Sequence, residues 1–466
     1  MFNYTTYTEN GMVAYNSTDS ALLDLFFEIG NITQVDSHIL DLCARAFDVN
    51  PQHLMSIILW ARDCRQGAGR RNAPRVIMKK WFETGELSKR AAILIMMRFV
   101  EVGRWDDVWH IALDTPYEKC MIELVREALE NKDGLCAKWL PRKGPMAAKI
   151  RKLLELSPKQ YRKTIVSLTD VVETKICEGK FHQIDYNHVP AKAMSRYAKL
   201  FSEKDAWRFE EWKDSLKEGT AKPKVKVLYP YEILKTLKDD EQLAEAQWKE
   251  KAKEVQAANT SFLPIIDTSG SMCNPSGAGV PCLFIAVSIG LLLSECANNA
   301  FRNRFLTFSE KPTFVNLENC KTLKEKVHKT QKARWDFNTN LEAAMFLLLR
   351  AAKMFSLPQE QLPKYLLIVS DMQFDQATEC DWNSTALNMM ESHFLAAGYT
   401  MPKVVFWNVA KGYGNVPAVK SENNVIMISG FNTNLFDAII KSPENITPMM
   451  FLQDILDNPR YHIDGM

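Results

Sequence analysis

The segment FLPIIDTSGSM at 262–272 is a short apolar run that ends in Asp267, with Ser269 and Ser271 following at alternate positions. One carboxylate and two hydroxyls are hard oxygen donors. They suit Mg2+, with Mn2+ or Ca2+ as substitutes, and hold Zn2+ poorly. A second apolar run, KYLLIVSDMQF at 364–374, ends in Asp371, and DFNTNLEAA at 336–344 sets Thr339 just ahead of a helical pattern. If both runs are strands of an open α/β sheet, their carboxyl ends face one ligand crevice, where these oxygens can meet. The competing reading of Asp-x-Ser-x-Ser is a serine-rich turn that caps the helix beginning near 280.

A second chemistry lies in the first half. The stretch 61–81 holds Arg62, Arg65, Arg70, Arg71, Arg75, Lys79 and Lys80 against Asp63 alone. The stretch 138–163 holds Lys138, Arg142, Lys143, Lys149, Arg151, Lys152, Lys159, Arg162 and Lys163 against Glu155 alone, and Lys192, Arg196 and Lys199 follow. With 58 basic and 56 acidic residues overall, the chain is no bulk polycation, so a nucleic-acid site has to be a local patch. Such a patch binds phosphates by counterion release. Trp81, Trp105, Trp139 and Tyr161 lie close by in sequence and offer rings for stacking unpaired bases. The bland reading is a solvated basic helix face with its aromatics in the core.

Other chemistries fail on residue types. Ser269 stands where an aspartyl-phosphate phosphatase needs a second Asp, GSMCNPSGAG lacks the Gly-Lys-Ser/Thr of a phosphate loop, and no His-Glu-x-x-His occurs. The ten cysteines include no C-x-x-C pair, which is the pattern of reduced, buried thiols in a cytoplasmic protein. The N-terminus MFNYTTYTEN carries no secretory pattern, and apolar stretches such as 280–293 are too short to span a bilayer.

The elements that must position these groups change character along the chain. From 21 to 258 the apolar period is 3.6, with helices expected at 21–29, 37–47, 51–64, 73–83, 87–101, 117–130, 146–156, 158–177, 191–201, 203–217 and 229–257. Short connectors rich in Pro, Gly and Asn suggest antiparallel helix pairs in a HEAT-like array. Residues 240–257 read as a solvated joining helix. From 259 to 466, strand-length runs at 262–266, 305–308, 365–370, 404–409 and 425–428 alternate with helices near 280–299, 319–329, 340–355, 383–397 and 432–441. That alternation implies a parallel, doubly wound sheet. Residues 1–20 form an N-terminal extension.

Asp267, Ser269, Ser271, Thr339 and Asp371 resemble, in type and order, the metal-ion-dependent adhesion site of von Willebrand factor A domains. The resemblance implies a Rossmann-like A domain whose serines and threonine ligate the cation, leaving one position for an acidic residue of a partner protein. ARDCRQGAGRRNAPRVIMKKW at 61–81 resembles the helix-turn-helix of Ro-type (TROVE) proteins, although Gly67-Ala68-Gly69 replaces their Gly-Gly-Lys-Gly. GRWDDVW at 103–109, AKWLPRKG at 137–144 and the segment 161–212 are similar to uncharacterised relatives in which a Ro-like region precedes an A domain. This implies a monomeric ring of helical repeats that binds single-stranded or misfolded small RNA without catalysis. The RNA-facing candidates are Arg62, Arg65, Arg70, Arg71, Lys138, Arg142, Lys143, Arg151, Lys152, Arg162, Lys163, Lys192 and Arg196. The alternative is a protein-interaction scaffold that works through the cation alone.

Overall fold

A computed structural model describes residues 5–7, 13–256, 261–308, 311–332, 341–373, 384–410, 416–431, 439 and 446–463. The chain divides into two compact units. One comprises Met1–Thr33, Asp41–Val49 and Val225–Asp457; the other comprises Gln34–Leu40, Asn50–Lys224 and Asn458–Met466.

The second unit is helical. Its elements, in chain order, begin after α1 (Ala21–Ile29) and α2 (Ser37–Val49). They are α3 (Pro51–Arg62), α4 (Asn72–Thr84), α5 (Lys89–Val102), α6 (Asp106–Ala112), α7 (Glu118–Glu130), α8 (Gly134–Trp139), α9 (Gly144–Leu153), α10 (Pro158–Leu168), α11 (Val172–Cys177), α12 (Ala191–Lys204) and α13 (Ala206–Glu218). Local signals set their ends. The Asn50 side chain accepts from the His53 amide ahead of Pro51, and Ser157 forms a capping box with Gln160 ahead of Pro158. Gly85 closes α4 with φ +74°, a conformation that side chains disfavour. The helix expected over 158–177 is two helices, because the chain turns extended at Thr169 and restarts at Val172. The short α6 and α8 lack enough turns to show a period.

The first unit is built on a sheet. Two antiparallel strands, β1 (Thr5–Tyr7) and β2 (Val13–Tyr15), lie in the segment read as an N-terminal extension, where no strand is expected from the sequence. The main sheet contains β3 (Phe262–Asp267), β4 (Arg304–Phe308), β5 (Phe314–Asn316), β6 (Tyr365–Ser370), β7 (Lys403–Asn408) and β8 (Val425–Ser429), in the order β5-β4-β3-β6-β7-β8. All pairs are parallel except β4 with β5, so the sheet is mixed rather than wholly parallel. Strands β3, β6 and β7 are buried at every position, as strands covered on both faces are.

Helices α14 (Pro230–Thr236) and α15 (Glu241–Gln256) precede this sheet, and α16 (Cys282–Cys296), α17 (Leu323–Gln331), α18 (Leu341–Met354), α19 (Ser384–Ala396) and α20 (Pro448–Leu456) accompany it. The sequence boundary at 258 therefore differs from the contact boundary at 225. Residues 240–257 are no solvated joiner. Leu243, Ala244, Trp248, Ala252 and Val255 form a buried stripe, and the Trp248 indole donates to Glu295 of α16 at 2.8 Å. Its many charges mask that stripe in the sequence. The apolar α1 likewise packs on β8 and α20. At Gly290, a Cβ would lie 2.2 Å from the Ile266 side chain, so α16 lies on β3 only because this position has no side chain. The expected helix 432–441 lies almost wholly outside the described residues. Among the described residues, no helix is long and apolar enough to cross a membrane.

Candidate functional site

Each unit carries one candidate site. In the sheet unit, the chain runs outward from β3 to β4 and β5, then crosses to β6, β7 and β8. The strand order thus reverses between β3 and β6, the place where open α/β sheets bind ligands. Asp267 ends β3 and Asp371 follows β6.

Asp267 is fully buried. Its Oδ1 accepts the Ser269 amide at 2.8 Å, and its Oδ2 accepts the hydroxyl of Ser370. Ser370 in turn accepts the Met372 amide at 2.9 Å, in a turn where Met372 takes φ +65°. The hydroxyls of Ser269 and Ser271 lie 3.0 Å apart. Asp371 is 8% exposed and accepts the Gln373 amide at 3.2 Å. Burial, then the neighbouring charge of Asp371, pushes the Asp267 carboxyl up to about 7. Burial, and then the charges of Asp371 and Asp267, push the thiol of Cys282, at the start of α16, up to about 12. The structure therefore gathers four of the five expected donors, and Thr339 lies outside the described residues. Among the described residues, no three His, Cys, Asp or Glu side chains are placed to share a metal ion. This donor set is different in kind, being two carboxylates plus hydroxyls, and it fits a hard dication. Ser370 carries no signal in the sequence, because only the register of Ile266 against Val369 sets it beside Asp267.

In the helical unit, α9 and α10 flank a groove of about 790 Å³. Arg142, Lys143, Arg151, Lys159 and Arg162 line it over a floor that includes Ala147, Tyr161 and Ile165, and no carboxylate is among its lining residues. A smaller cleft continues from Arg162 to Lys163 and Ser167. Arg142, Lys143, Lys152, Arg162 and Lys163 are exposed, and Arg151 is partly buried and donates to the Leu156 carbonyl at 3.0 Å. Lys159, which also lines the groove, was absent from the RNA-facing set.

The rest of that set is dispersed. Arg62 is a correction: it is 3% exposed, and its guanidinium holds the fully buried Asp107 at 2.8 Å. Arg75 binds Asp107 and, at 2.8 Å, Asp106, while Arg104 binds Asp106 at 3.0 Å. Gly103 is required beside this box, since a Cβ there would meet Asp107 Oδ2 at 2.3 Å. The Gly-Arg-Trp-Asp-Asp signature is thus a buried ionic joint between α3, α4 and α6. Lys138 lies 3.8 Å from Glu173. Arg65 is exposed and donates to the Glu101 carbonyl, Arg70 is partly buried, and Arg71, Lys192 and Arg196 are exposed. None of these five lines the groove.

The aromatics are largely committed to the fold. Trp105 is 8% exposed and donates to Asp133 at 2.9 Å, Arg104 covers the Trp139 ring at 3.9 Å, and the buried Tyr161 donates its hydroxyl to the Pro141 carbonyl at 3.0 Å.

Residues 8–82 and 120–267 match the profile of a domain of unknown function, DUF2828, and residues 261–448 match that of a second, DUF7788. The uncharacterized protein L728 of Acanthamoeba polyphaga mimivirus is 29% identical over 510 residues, spanning 97% of this chain and 87% of that protein. Among solved structures, the Ro (RSR) protein of Deinococcus radiodurans superposes with a TM-score of 0.52 at 13% identity, covering 91% of this chain and 99% of that one. A helical region followed by a mixed-sheet unit, matched over nearly the full length of both chains, gives this protein a Ro-like fold.

Proposed function

We propose that this chain is a non-catalytic RNA-binding protein that takes single-stranded or misfolded small RNA along the α9–α10 groove. The observation that carries the reading is the groove's lining of five cations with no carboxylate among them. Such a wall attracts anions, and a polyanion most of all, because each phosphate it meets adds its own counterion release. The superposition on the Deinococcus Ro protein adds support at the level of fold. Trp105 is buried, Arg104 covers the Trp139 ring and the buried Tyr161 is tied to Pro141, so the groove would read phosphates rather than stack bases.

The test is RNA binding across a salt series. The triple variant Arg142→Glu, Lys143→Glu, Arg162→Glu should weaken binding by at least about tenfold and flatten the logarithmic salt slope by roughly 2. Unchanged affinity and slope would make the groove a structural feature.

A second reading is favoured by the oxygen cluster. In it the sheet unit is a von Willebrand factor A-like module in which Asp267, Ser269, Ser271 and Asp371 hold Mg2+, with Thr339 as a further donor. When bound, the cation would supply an open coordination position for an acidic residue of a protein partner. Ser370 holds one Asp267 oxygen, and the Ser269 amide holds the other, so the carboxylate is fixed in orientation before any ion arrives. Both readings are compatible in one chain, because each uses a different unit.

A further inference from the structure

The Arg-Asp-x-Arg loop that follows α3 has an occupant within the chain. We propose that Asn458–Ile463 is a docking peptide and that α3, this loop and α5 form its receptor on the helical unit. The chain leaves that unit at Lys224 and returns to it at Asn458, so the last residues reach it as a separate segment.

The contacts are specific. Asp63 is fully buried, and its carboxylate accepts from Nε and, at 3.3 Å, from Nη2 of Arg460. The Tyr461 hydroxyl donates to the same carboxylate at 3.3 Å, and the ring is 1% exposed. Ser56 of α3 donates to the Tyr461 carbonyl at 3.3 Å, and Arg98 of α5 donates to the His462 carbonyl at 3.1 Å. The Asn458 side chain accepts the Arg460 amide at 3.0 Å and so fixes the turn that presents the guanidinium.

The receptor is built in advance of its ligand. The Arg65 amide orients Asp63 at 2.8 Å. Gly67 lets the loop fold back, since a Cβ there would lie 1.9 Å from the Trp60 carbonyl. Arg62, the neighbouring cation, is committed to Asp107. A buried carboxylate left without a cation is costly, and Arg460 is the cation that meets it. A fork of two donors matches the carboxylate where an ammonium would not. The socket thus recognises an arginine followed by a tyrosine in a turn, and it recognises them through contacts that need no covalent continuity.

The experiment uses the chain ended at Asp457 and a fluorescein-labelled peptide of residues 458–466, followed by anisotropy. The expected result is that the peptide binds the shortened chain at least about tenfold more tightly than the intact chain, whose socket is filled. Asp63→Asn in the chain or Arg460→Lys in the peptide should each weaken binding by about tenfold or more. Equal binding to both chains, no binding to a folded shortened chain, or indifference to Asp63→Asn would overturn the proposal. Should shortening prevent folding, urea melts of the intact chain decide it. Arg460→Ala, which strands the buried carboxylate, should cost more than Asp63→Asn, and the double variant should lose less than the sum of the two, whereas additive losses would overturn the pairing.

Discussion

Two arginines that look alike in sequence differ in what surrounds them. Arg62 is sealed against Asp107, whereas Arg162 stands exposed at the groove. Arg62→Ala should cost about 3 kcal/mol in urea melts, because it strands part of a buried charge, although Arg75 still holds Asp107. The folded fraction should bind RNA as before. Arg162→Ala should leave the melt within about 0.5 kcal/mol and weaken RNA binding instead. The opposite pattern would exchange the two roles. Asp267 offers a titration of its own in protein stripped of metal. Burial, then the neighbouring Asp371 charge, raises its folded carboxyl to about 7, above the usual carboxylate range, so between that range and 7 the folded state binds the extra proton. Stability from this group is therefore present at low pH and is lost as pH rises through the ordinary carboxylate range toward 7. Asp267→Asn should flatten that part of the stability profile, and a profile identical to the parent's would refute the assignment.

At the scale of elements, the sheet unit depends on the close approach of α16 to β3. Gly290→Val would drive a side chain into Ile266 and cost roughly 2–3 kcal/mol, read as a lower urea midpoint. Since β3 carries Asp267, Mn2+ affinity measured by calorimetry should fall as well. Helices α9 and α10 behave differently. Ala147, Tyr161 and Ile165 are buried at the floor of the groove, while Arg142, Lys143, Lys159 and Arg162 along it are exposed. Changes on that outer face alter charge without disturbing the packing beneath.

For the whole molecule, division into two compact units predicts calorimetric unfolding that departs from a single two-state transition. Gly290→Val should lower one component, and Arg62→Ala the other. A single transition shifted equally by both variants would show the units to be energetically one. Adding Mg2+ should raise only the component lowered by Gly290→Val.

Much of this was legible in the chain. The switch from a 3.6-residue period to strand-length apolar runs near 260 marks where the sheet begins, because a strand buried on both faces needs continuous apolar residues, as β3, β6 and β7 have. The oxygen donors could be named from residue type and their position after strands, since chemistry is local. Three things required tertiary structure. Whether an arginine faces solvent or Asp107 depends on helices distant in sequence, and so Arg62 was misplaced. The limits of the sheet unit depend on which surfaces α1, α14 and α15 bury, and in α15 the many charged residues hide that choice. The partner of Asp63 is Arg460, and no periodicity links positions so far apart; only the folded chain brings them together.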